Sequence, residues 1–184
     1  MLVRIRRDPA ALERERAISA AASARGTRRF RVPRLIGSGQ IDGWHWVGYE
    51  AMSPRPHAPS YRLDNEGCAE ISALVEATIP RAAGVPDHWR GAHGDLTPWN
   101  LRHGRGTTWL IDWEDAGMAP PHADAIYLRA VARALRPGPA RPMRLRPEER
   151  EAGAYWSAIV AQREASPPEQ RLRQRLLRIL DAGG

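Results

Sequence analysis

The sequence predicts an α+β fold, because strand patterns and helix patterns occupy different parts of the 184-residue chain. The N-terminal part combines a strand, a helix and glycine-containing strands. Residues 89–117 show the pattern of short strands joined by tight turns, and three helical stretches follow them. These observations predict a small N-terminal unit, residues 1–56, followed by a mainly helical unit, residues 57–184.

The first elements are a short strand and a helix. Residues 2–6 (LVRIR) alternate and favour a strand, and Asp8 followed by Pro9 is a typical helix start. The helix pattern continues to about Ala24. Glu15 lies on the face of this helix that otherwise carries alanine and isoleucine. A carboxylate on an apolar face needs a buried cation, so we expect Glu15 to form an ion pair.

The next segment predicts a turn, a strand and a connection. Gly37, Gly39 and Gly43 favour a turn, and residues 44–52 (WHWVGYEAM) favour a strand that runs into a connection rich in proline and histidine. We place the boundary between the two units in this connection. Five tryptophans of the strand-like segments are expected to be packing residues: Trp44, Trp46, Trp99, Trp109 and Trp113.

The second unit begins with a helix that Asp64 can cap. Its apolar stripe recurs at helical spacing and ends at Pro80; its members are Cys68, Ile71, Val75 and Ile79. A hairpin is expected between residues 99–102 and 107–112, with the sequence HGRG at its tip. Three helices are expected at about 121–136, 147–164 and 167–181, and the proline-rich run that separates the first two predicts a surface loop.

The composition excludes several classes of protein. All 28 basic residues are arginine, so any mechanism that needs a lysine is excluded, and 21 acidic residues leave a net charge of +7. Cys68 is the single cysteine, which rules out an intrachain disulfide and a cysteine-based zinc site. No window approaches the ~18 consecutive apolar residues of a membrane span, so we expect a cytoplasmic protein without a membrane partner.

The positive charge is concentrated in residues 1–34, which carry ten arginines and three acids. Arginine presents a planar fork of donors to phosphate oxygens, so this block could contact a nucleotide or a nucleic acid. We favour a solvated surface, because the interleaved aromatic residues of a single-strand binding platform are missing. An arginine-rich nucleic-acid binder remains a remote alternative.

The residues that carry chemistry lie in the stretch AHGDLTPWNLRHGRGTTWLIDWEDAG, residues 92–117. Asp95 follows a strand, Asn100 lies five positions later, and Asp112 closes an apolar strand. Phosphoryl transfer needs a carboxylate to orient the acceptor hydroxyl and take its proton, and oxygen ligands to hold Mg²⁺ on the phosphates. A short hairpin can bring Asn100 and Asp112 beside Asp95.

These residues also carry a family resemblance. His93-Gly94-Asp95 followed by Asn100 has the H-x-D-x-x-x-x-N spacing of a kinase catalytic loop. Together with residues 111–114 (IDWE), HGDLTPWN resembles the aminoglycoside phosphotransferase and choline kinase-like small-molecule kinases, the phosphotransferase enzyme family. The resemblance spans residues 2 to about 135. It implies a protein-kinase-like fold with a reduced N-terminal lobe and a mainly helical C-terminal lobe.

The resemblance also implies a role for individual residues. Asp95 would be the catalytic base, and Asn100 and Asp112 would hold Mg²⁺. His93 and Asp124 would support the loop. The residues that would contact the nucleotide, ATP or GTP, are the ion pair Arg4 and Glu15 and the hinge strip Glu50, Ala51 and Met52. The implied reaction transfers the terminal phosphate of the nucleotide to a hydroxyl of a small molecule.

The sequence departs from the family in its first part. Arg4 stands where the family has a lysine, and the loop that covers the phosphates is missing, so the resemblance implies an N-terminally truncated member. An active kinase with a minimal N-terminal lobe and a truncated kinase-like protein with little or no activity both stay open. A start codon assigned too far downstream would explain the difference.

The acceptor is constrained only by charge. Residues 118–184 are expected to hold it, and they carry twelve arginines and seven acids. This balance argues against a polycationic aminoglycoside and favours a neutral or anionic hydroxylated acceptor. A choline-like ammonium would need an aromatic cage, for which only Tyr127, Tyr155 and Trp156 are candidates.

Overall fold

The computed structural model describes residues 1–52, 57–164 and 166–181. Within these ranges the fold is α+β, as the sequence predicts. The strands are β1 Leu2–Arg6, β2 Leu35–Ile41, β3 Trp44–Tyr49, β4 Ala58–Pro59, β5 Arg90–Ala92, β6 Leu101–Gly104, β7 Thr107–Leu110 and β8 Gly117–Ala119. The α-helices are α1 Pro9–Arg25, α2 Asn65–Glu76, α3 Ala123–Ala134, α4 Arg150–Gln162 and α5 Pro167–Leu180, with a 3₁₀ turn at Pro147–Glu149 before α4. The ends of the two predicted units, residues 56 and 184, lie outside the described residues.

The N-terminal sheet is antiparallel, with strand order β1-β3-β2. Arg4 lies opposite Val47 in the register of β1 and β3. Helix α1 begins at Pro9 because the Asp8 carboxylate accepts the backbone N–H of Ala10 at 2.9 Å, which caps the first turn. The predicted first strand and first helix are therefore confirmed.

The prediction of a turn at Gly37 and Gly39 is wrong, because both residues lie within β2. Of the three glycines only Gly43 is in the turn between β2 and β3, where its φ is +77°. The strand glycines make room for the Trp46 indole of the neighbouring strand. A Cβ atom at Gly39 would lie 2.8 Å from Trp46 Nε1. A larger residue in β2 would therefore displace this ring.

Helix α2 begins as predicted, since Asp64 accepts the N–H of Gly67 at 2.7 Å. It ends at Glu76 rather than at Pro80. The hydroxyl of Thr78 bonds the carbonyl of Leu74 at 2.7 Å, and this local bond tightens the chain after the last helical turn. The apolar stripe is buried at its centre, with Ile71 and Val75 both inaccessible to solvent.

The hairpin forms from β6 and β7, but its tip is Arg105-Gly106 rather than HGRG. Both tip residues have positive φ, +49° and +73°, which is the conformation of a tight two-residue hairpin turn. His103 and Gly104 therefore belong to β6. A separate two-stranded sheet pairs β5 with β8, and it places the chain after β5 beside the chain before β8.

The three predicted C-terminal helices are present as α3, α4 and α5. They pack around Trp156, which is buried and stacks on Tyr127 with ring centroids 3.9 Å apart. The proline-rich segment between α3 and α4 is mostly exposed, but Met143 is buried and its N–H donates to the carbonyl of Ile179 in α5 at 2.8 Å. The loop is thereby held against the last helix.

A second core lies under the predicted catalytic loop and takes residues from both parts of the chain. Ile18 of α1 and Phe30 contribute to it, together with Leu96, Leu101 and Leu110 around the hairpin. The packing prediction for tryptophan holds for Trp109 and Trp113, which are 8% and 2% exposed. It is wrong for Trp44 and Trp99, which are 42% and 41% exposed. None of the helices in the described ranges combines the length and the apolar character that crossing a membrane would require.

Candidate functional site

The fold brings Asp95, Asn100 and Asp112 to one place. Asp95 follows β5, Asn100 precedes β6, and Asp112 follows β7. The side-chain amide of Asn100 donates to the Asp95 carboxylate at 2.9 Å and to the Asp95 carbonyl at 3.0 Å. The N–H of Ile111 donates to the carbonyl of Asn100 at 3.0 Å, which fixes the start of the Asp112 segment beside the loop.

The loop conformation requires a glycine between His93 and Asp95. Gly94 has a φ of +81°, a region that side-chain-bearing residues rarely adopt. A Cβ atom there would also overlap the carbonyl oxygen of Asp115. The chain before β8 therefore passes directly against the loop, and this contact accounts for the glycine of the HGD motif.

His93 is completely buried, and its ring supports the loop through hydrogen bonds. Its Nε2 lies 3.0 Å from the carbonyl of Ile111, and its Nδ1 accepts the N–H of Asp95 at 3.3 Å. Burial lowers the pKa of His93 to about 4, although the bond to Ile111 opposes the shift. The ring is thus neutral at pH 7, with its proton on Nε2, and it joins the Asp95 loop to the strand that ends before Asp112.

Asp124 holds the same loop from the first turn of α3. Its carboxylate accepts the N–H of His93 at 2.7 Å and the N–H of Gly94 at 3.3 Å. Burial raises the pKa of Asp124 to about 6, and the two backbone N–H groups oppose this rise. Its position at a helix N-terminus favours the ionised form.

The side chain of Asp95 contacts a residue that no sequence motif indicates. Nη1 of Arg163, at the end of α4, lies 3.4 Å from Asp95 Oδ1 and 3.2 Å from the Tyr127 hydroxyl. Nη2 of Arg163 lies 3.4 Å from Asp115 Oδ2. Burial raises the pKa of Asp95 above its ordinary value, and the guanidinium opposes the rise. Arg163 therefore covers the predicted catalytic carboxylate.

The proposed aromatic cage is not free for a ligand in this arrangement. Trp156 is fully buried against Tyr127, and the Arg163 guanidinium lies 5.9 Å from the centroids of both rings. Tyr155 contacts Trp156 edge to face, with ring centroids 5.3 Å apart. The cation that these rings meet is a side chain of the protein itself.

Arg4 and Glu15 form the predicted ion pair, with Nη1 of Arg4 3.0 Å from Oε1 of Glu15. The same Glu15 oxygen accepts the N–H of Trp113 at 3.2 Å, so α1 is tied to the residue after Asp112. Burial raises the pKa of Glu15 to about 7, while Arg4 opposes the shift. The pair connects the N-terminal sheet and α1 to the predicted metal-binding segment.

Asp112 has properties that suit a cation ligand. Its φ is +72°, an unusual conformation that directs the chain sharply out of β7. Nη1 of Arg4 lies 2.6 Å from its Oδ1, but without hydrogen-bond geometry, and this buried oxygen has no hydrogen-bond donor among the described residues. The Asn100 amide nitrogen is used by Asp95, which leaves its Oδ1 oxygen as the atom able to ligate.

These oxygens fit the donor chemistry of Mg²⁺, although they form a small set. Over residues 1–52, 57–164 and 166–181 there is no group of three or more histidine, cysteine, aspartate or glutamate side chains placed to hold a metal. A metal at this point would therefore take its remaining ligands from a bound phosphate or from water, which is usual for Mg²⁺.

The predicted nucleotide-contacting residues divide into two groups. Arg4 and Glu15 line a cavity together with Tyr49 and Asp112, and its volume is only about 30 Å³. In the hinge strip, the Glu50 carboxylate accepts the N–H of Arg34 at 3.2 Å. Ala51 and Met52 make no hydrogen bond to the other site residues in the part of the chain that the structure describes.

A comparison with protein families gives an independent result. Residues 81–165 match the model of the phosphotransferase enzyme family, APH. The matched segment begins before β5 and extends beyond α4, so it contains the loop, the hairpin, Asp124 and Arg163. No curated protein and no solved structure matches the chain. The similarity to the phosphotransferase enzyme family therefore covers residues 81–165 of the chain.

Proposed function

We propose that the protein transfers the terminal phosphate of ATP or GTP to a hydroxyl group of a small molecule. The observation that carries this proposal is the Asn100 amide bonded to Asp95, with Asp112 fixed beside them by the hairpin. The family match over the same residues supports it. The fold that we infer is protein-kinase-like, with lobes at 1–56 and 57–184 and a hinge at Glu50, Ala51 and Met52.

Asp95 has the position and environment of the catalytic base. Its carboxylate is held by Asn100, and burial raises its pKa, which makes it a better proton acceptor. His93 and Asp124 position the loop through the hydrogen bonds to its backbone. The acceptor hydroxyl would approach Asp95 from the side where Arg163 now lies.

Asn100 would hold Mg²⁺ through its Oδ1 and Asp112 through its carboxylate, and bound Mg²⁺ would neutralise charge on the phosphate oxygens. Arg4 now lies against Asp112 and is close enough to the same place to contact a phosphate. Because its guanidinium is larger than an ammonium, it is not equivalent to a lysine at this position. Glu15 keeps the guanidinium in place through their 3.0 Å contact.

A second candidate function is a kinase-like protein with little or no turnover. Two observations favour it: the 30 Å³ cavity beside Arg4 is far smaller than the several hundred Å³ of a usual ligand pocket, and Arg163 covers Asp95. Nucleotide binding therefore requires the N-terminal sheet to move away from Asp112. A protein that makes this movement rarely would bind weakly and catalyse slowly.

Transfer of labelled phosphate from γ-labelled ATP and GTP, with Mg²⁺ and a panel of small-molecule alcohols, tests the proposal. We expect label in at least one acceptor, and we expect Asp95→Asn to lower the rate at least about 100-fold. Asp87→Asn, an exposed aspartate outside the site, is the control and should retain the rate. Nucleotide binding without transfer to any acceptor would favour the second candidate.

A further inference from the structure

A larger cleft lies between the C-terminal end of α3, the loop that follows it and α5. Its volume is about 410 Å³, and it shares no lining residue with the cavity beside Arg4. Five arginines line it, and no described residue of its wall is acidic. These arginines are Arg129, Arg133, Arg136, Arg141 and Arg175. Of the described residues that line the cleft, only Tyr61 has an aromatic side chain.

Two of these arginines have partners within the fold. Arg175 donates to the carbonyls of Ala134 and Arg136, both at 2.7 Å, and to that of Gly138 at 2.8 Å. Arg175 thereby forms hydrogen bonds with carbonyl oxygens at the end of α3 and in the loop after it. Without these bonds the carbonyl oxygens would repel an anion. Arg129 pairs with Glu149, which lies outside the cleft wall, at 2.7 Å.

The other three arginines have no such partners among the described residues. Arg133, Arg136 and Arg141 are exposed, and their side chains make no hydrogen bond or ion pair with any part of the chain that the structure describes. They come from a helix and from two positions of the following loop, yet they face one concavity. Their mutual repulsion is unfavourable, and a concave wall strengthens the positive potential that they create.

We propose that this cleft binds a small molecule that carries two or more phosphate groups. A guanidinium matches the geometry of phosphate oxygens, and three unpaired guanidinium groups require more than one phosphate for neutralisation. The cleft volume is that of a small-molecule site. An extended nucleic acid would instead need a basic groove that follows its backbone, with several stacking aromatics. The proposal does not depend on the phosphotransferase activity.

The test is titration calorimetry with sodium tripolyphosphate, pyrophosphate and orthophosphate in the presence of EDTA, which removes metal-dependent binding elsewhere. We expect tripolyphosphate to bind with micromolar affinity and orthophosphate at least about tenfold more weakly. The variant R133Q/R136Q/R141Q should weaken tripolyphosphate binding at least about tenfold. The control R144Q/R150Q/R171Q removes the same charge from exposed arginines outside the cleft wall and should change it less than about twofold.

Four results would overturn the proposal. They are absence of tripolyphosphate binding at millimolar concentration, equal losses in the two triple variants, orthophosphate binding as tight as that of tripolyphosphate, and a single-stranded oligonucleotide that binds at least tenfold more tightly. The last result would assign the surface to a nucleic acid. R141Q alone, in the irregular loop, repeats the test with the smallest risk to folding, and circular dichroism verifies each variant.

Discussion

At the scale of single residues, the geometry of the site depends on Gly94. The positive φ of this residue is one reason why the position requires glycine, and the close approach of the Asp115 carbonyl is another. Two separate penalties therefore apply to any side chain at this position. The chain offers a matched comparison, because Gly84 has nearly the same φ, +83°, and has no atom within 4 Å of the place that a Cβ would take.

We predict that Gly84→Ala lowers the free energy of unfolding by about 1 kcal/mol, the cost of the positive φ alone. Gly94→Ala should cost about 3 kcal/mol, because the overlap with Asp115 is added to the same strain. Urea denaturation of both variants measures the difference. Equal losses would contradict the close contact between the loop and the chain before β8.

The buried His93 predicts a pH dependence of stability. Its folded pKa of about 4 lies below the ordinary value of 6.5, so the unfolded chain binds a proton that the folded protein does not. The stabilising contribution of neutral His93 to the free energy of unfolding is complete above pH 6.5 and is lost as pH falls towards 4. It amounts to ~3 kcal/mol. The unfolding free energy of the protein, minus that of His93→Asn, should rise by this amount between pH 4 and 6.5. A His93 pKa near 6.5 by NMR would contradict the account.

Sequence motifs predicted some residues of the candidate site and missed others, and the difference has a physical reason. His93, Asp95 and Asn100 are close in sequence, so their spacing predicts that they share a loop. Arg163 contacts Asp95 across 68 positions. It is one of 28 arginines, and no local pattern distinguishes it. Contacts that result from the packing of α4 against α3 depend on the whole fold, so a short stretch of sequence does not predict them.

At the scale of elements, the Arg4–Glu15 pair joins β1 to α1 and, through Trp113, to the end of β7. The helix pattern predicts a cation for Glu15, because a glutamate on an apolar helix face needs one, and the family resemblance implies that Arg4 is its partner. Both side chains are largely shielded, 17% and 4% exposed, whereas the neighbouring pair of Arg6 and Glu114 is 44% and 28% exposed. The two pairs should therefore differ in energy.

Double-mutant cycles test this difference. The cycle with Arg4→Met and Glu15→Gln should give a coupling energy of about 2 kcal/mol, because removal of Arg4 leaves the buried Glu15 carboxylate without its cation. The cycle with Arg6→Met and Glu114→Gln should give less than about 1 kcal/mol, since water screens that pair. Chemical denaturation of the single and double variants provides both values. Coupling of Arg4 with Glu15 no larger than that of the exposed pair would contradict the structural role of Arg4.

Secondary structure was predictable where the signal is local. The Asp8 and Asp64 caps and the three C-terminal helices lie where capping and periodicity place them. The strand glycines were not predictable in the same way, because Gly39 belongs to β2 on account of the Trp46 ring in the adjacent strand. The end of β6 was misplaced for a similar reason, since the two-residue turn at Arg105-Gly106 allows His103 and Gly104 to pair with β7.

At the scale of the whole molecule, arginine side chains of the protein itself occupy the candidate site. Arg4 lies against Asp112, and Arg163 lies against Asp95. The cavity lined by Arg4, Asp112 and residues of the N-terminal sheet has a volume of about 30 Å³. Each of the predicted functional carboxylates is thus paired with an arginine of the chain. If nucleotide and acceptor bind here as proposed, they must displace the two guanidinium groups from Asp112 and Asp95, and the cost of doing so lowers the apparent affinity.

We propose that Asn100 and Asp112 hold Mg²⁺ on a bound nucleotide. The most direct measurement is the thermal midpoint of unfolding with ATP or GTP, with and without Mg²⁺, because a ligand of the folded state raises it by mass action. We predict a rise of several degrees that needs Mg²⁺, that Asp112→Ala and Asn100→Ala abolish, and that Asp87→Ala preserves. No Mg²⁺-dependent rise at millimolar nucleotide, or a rise that survives in Asp112→Ala, would contradict the claim.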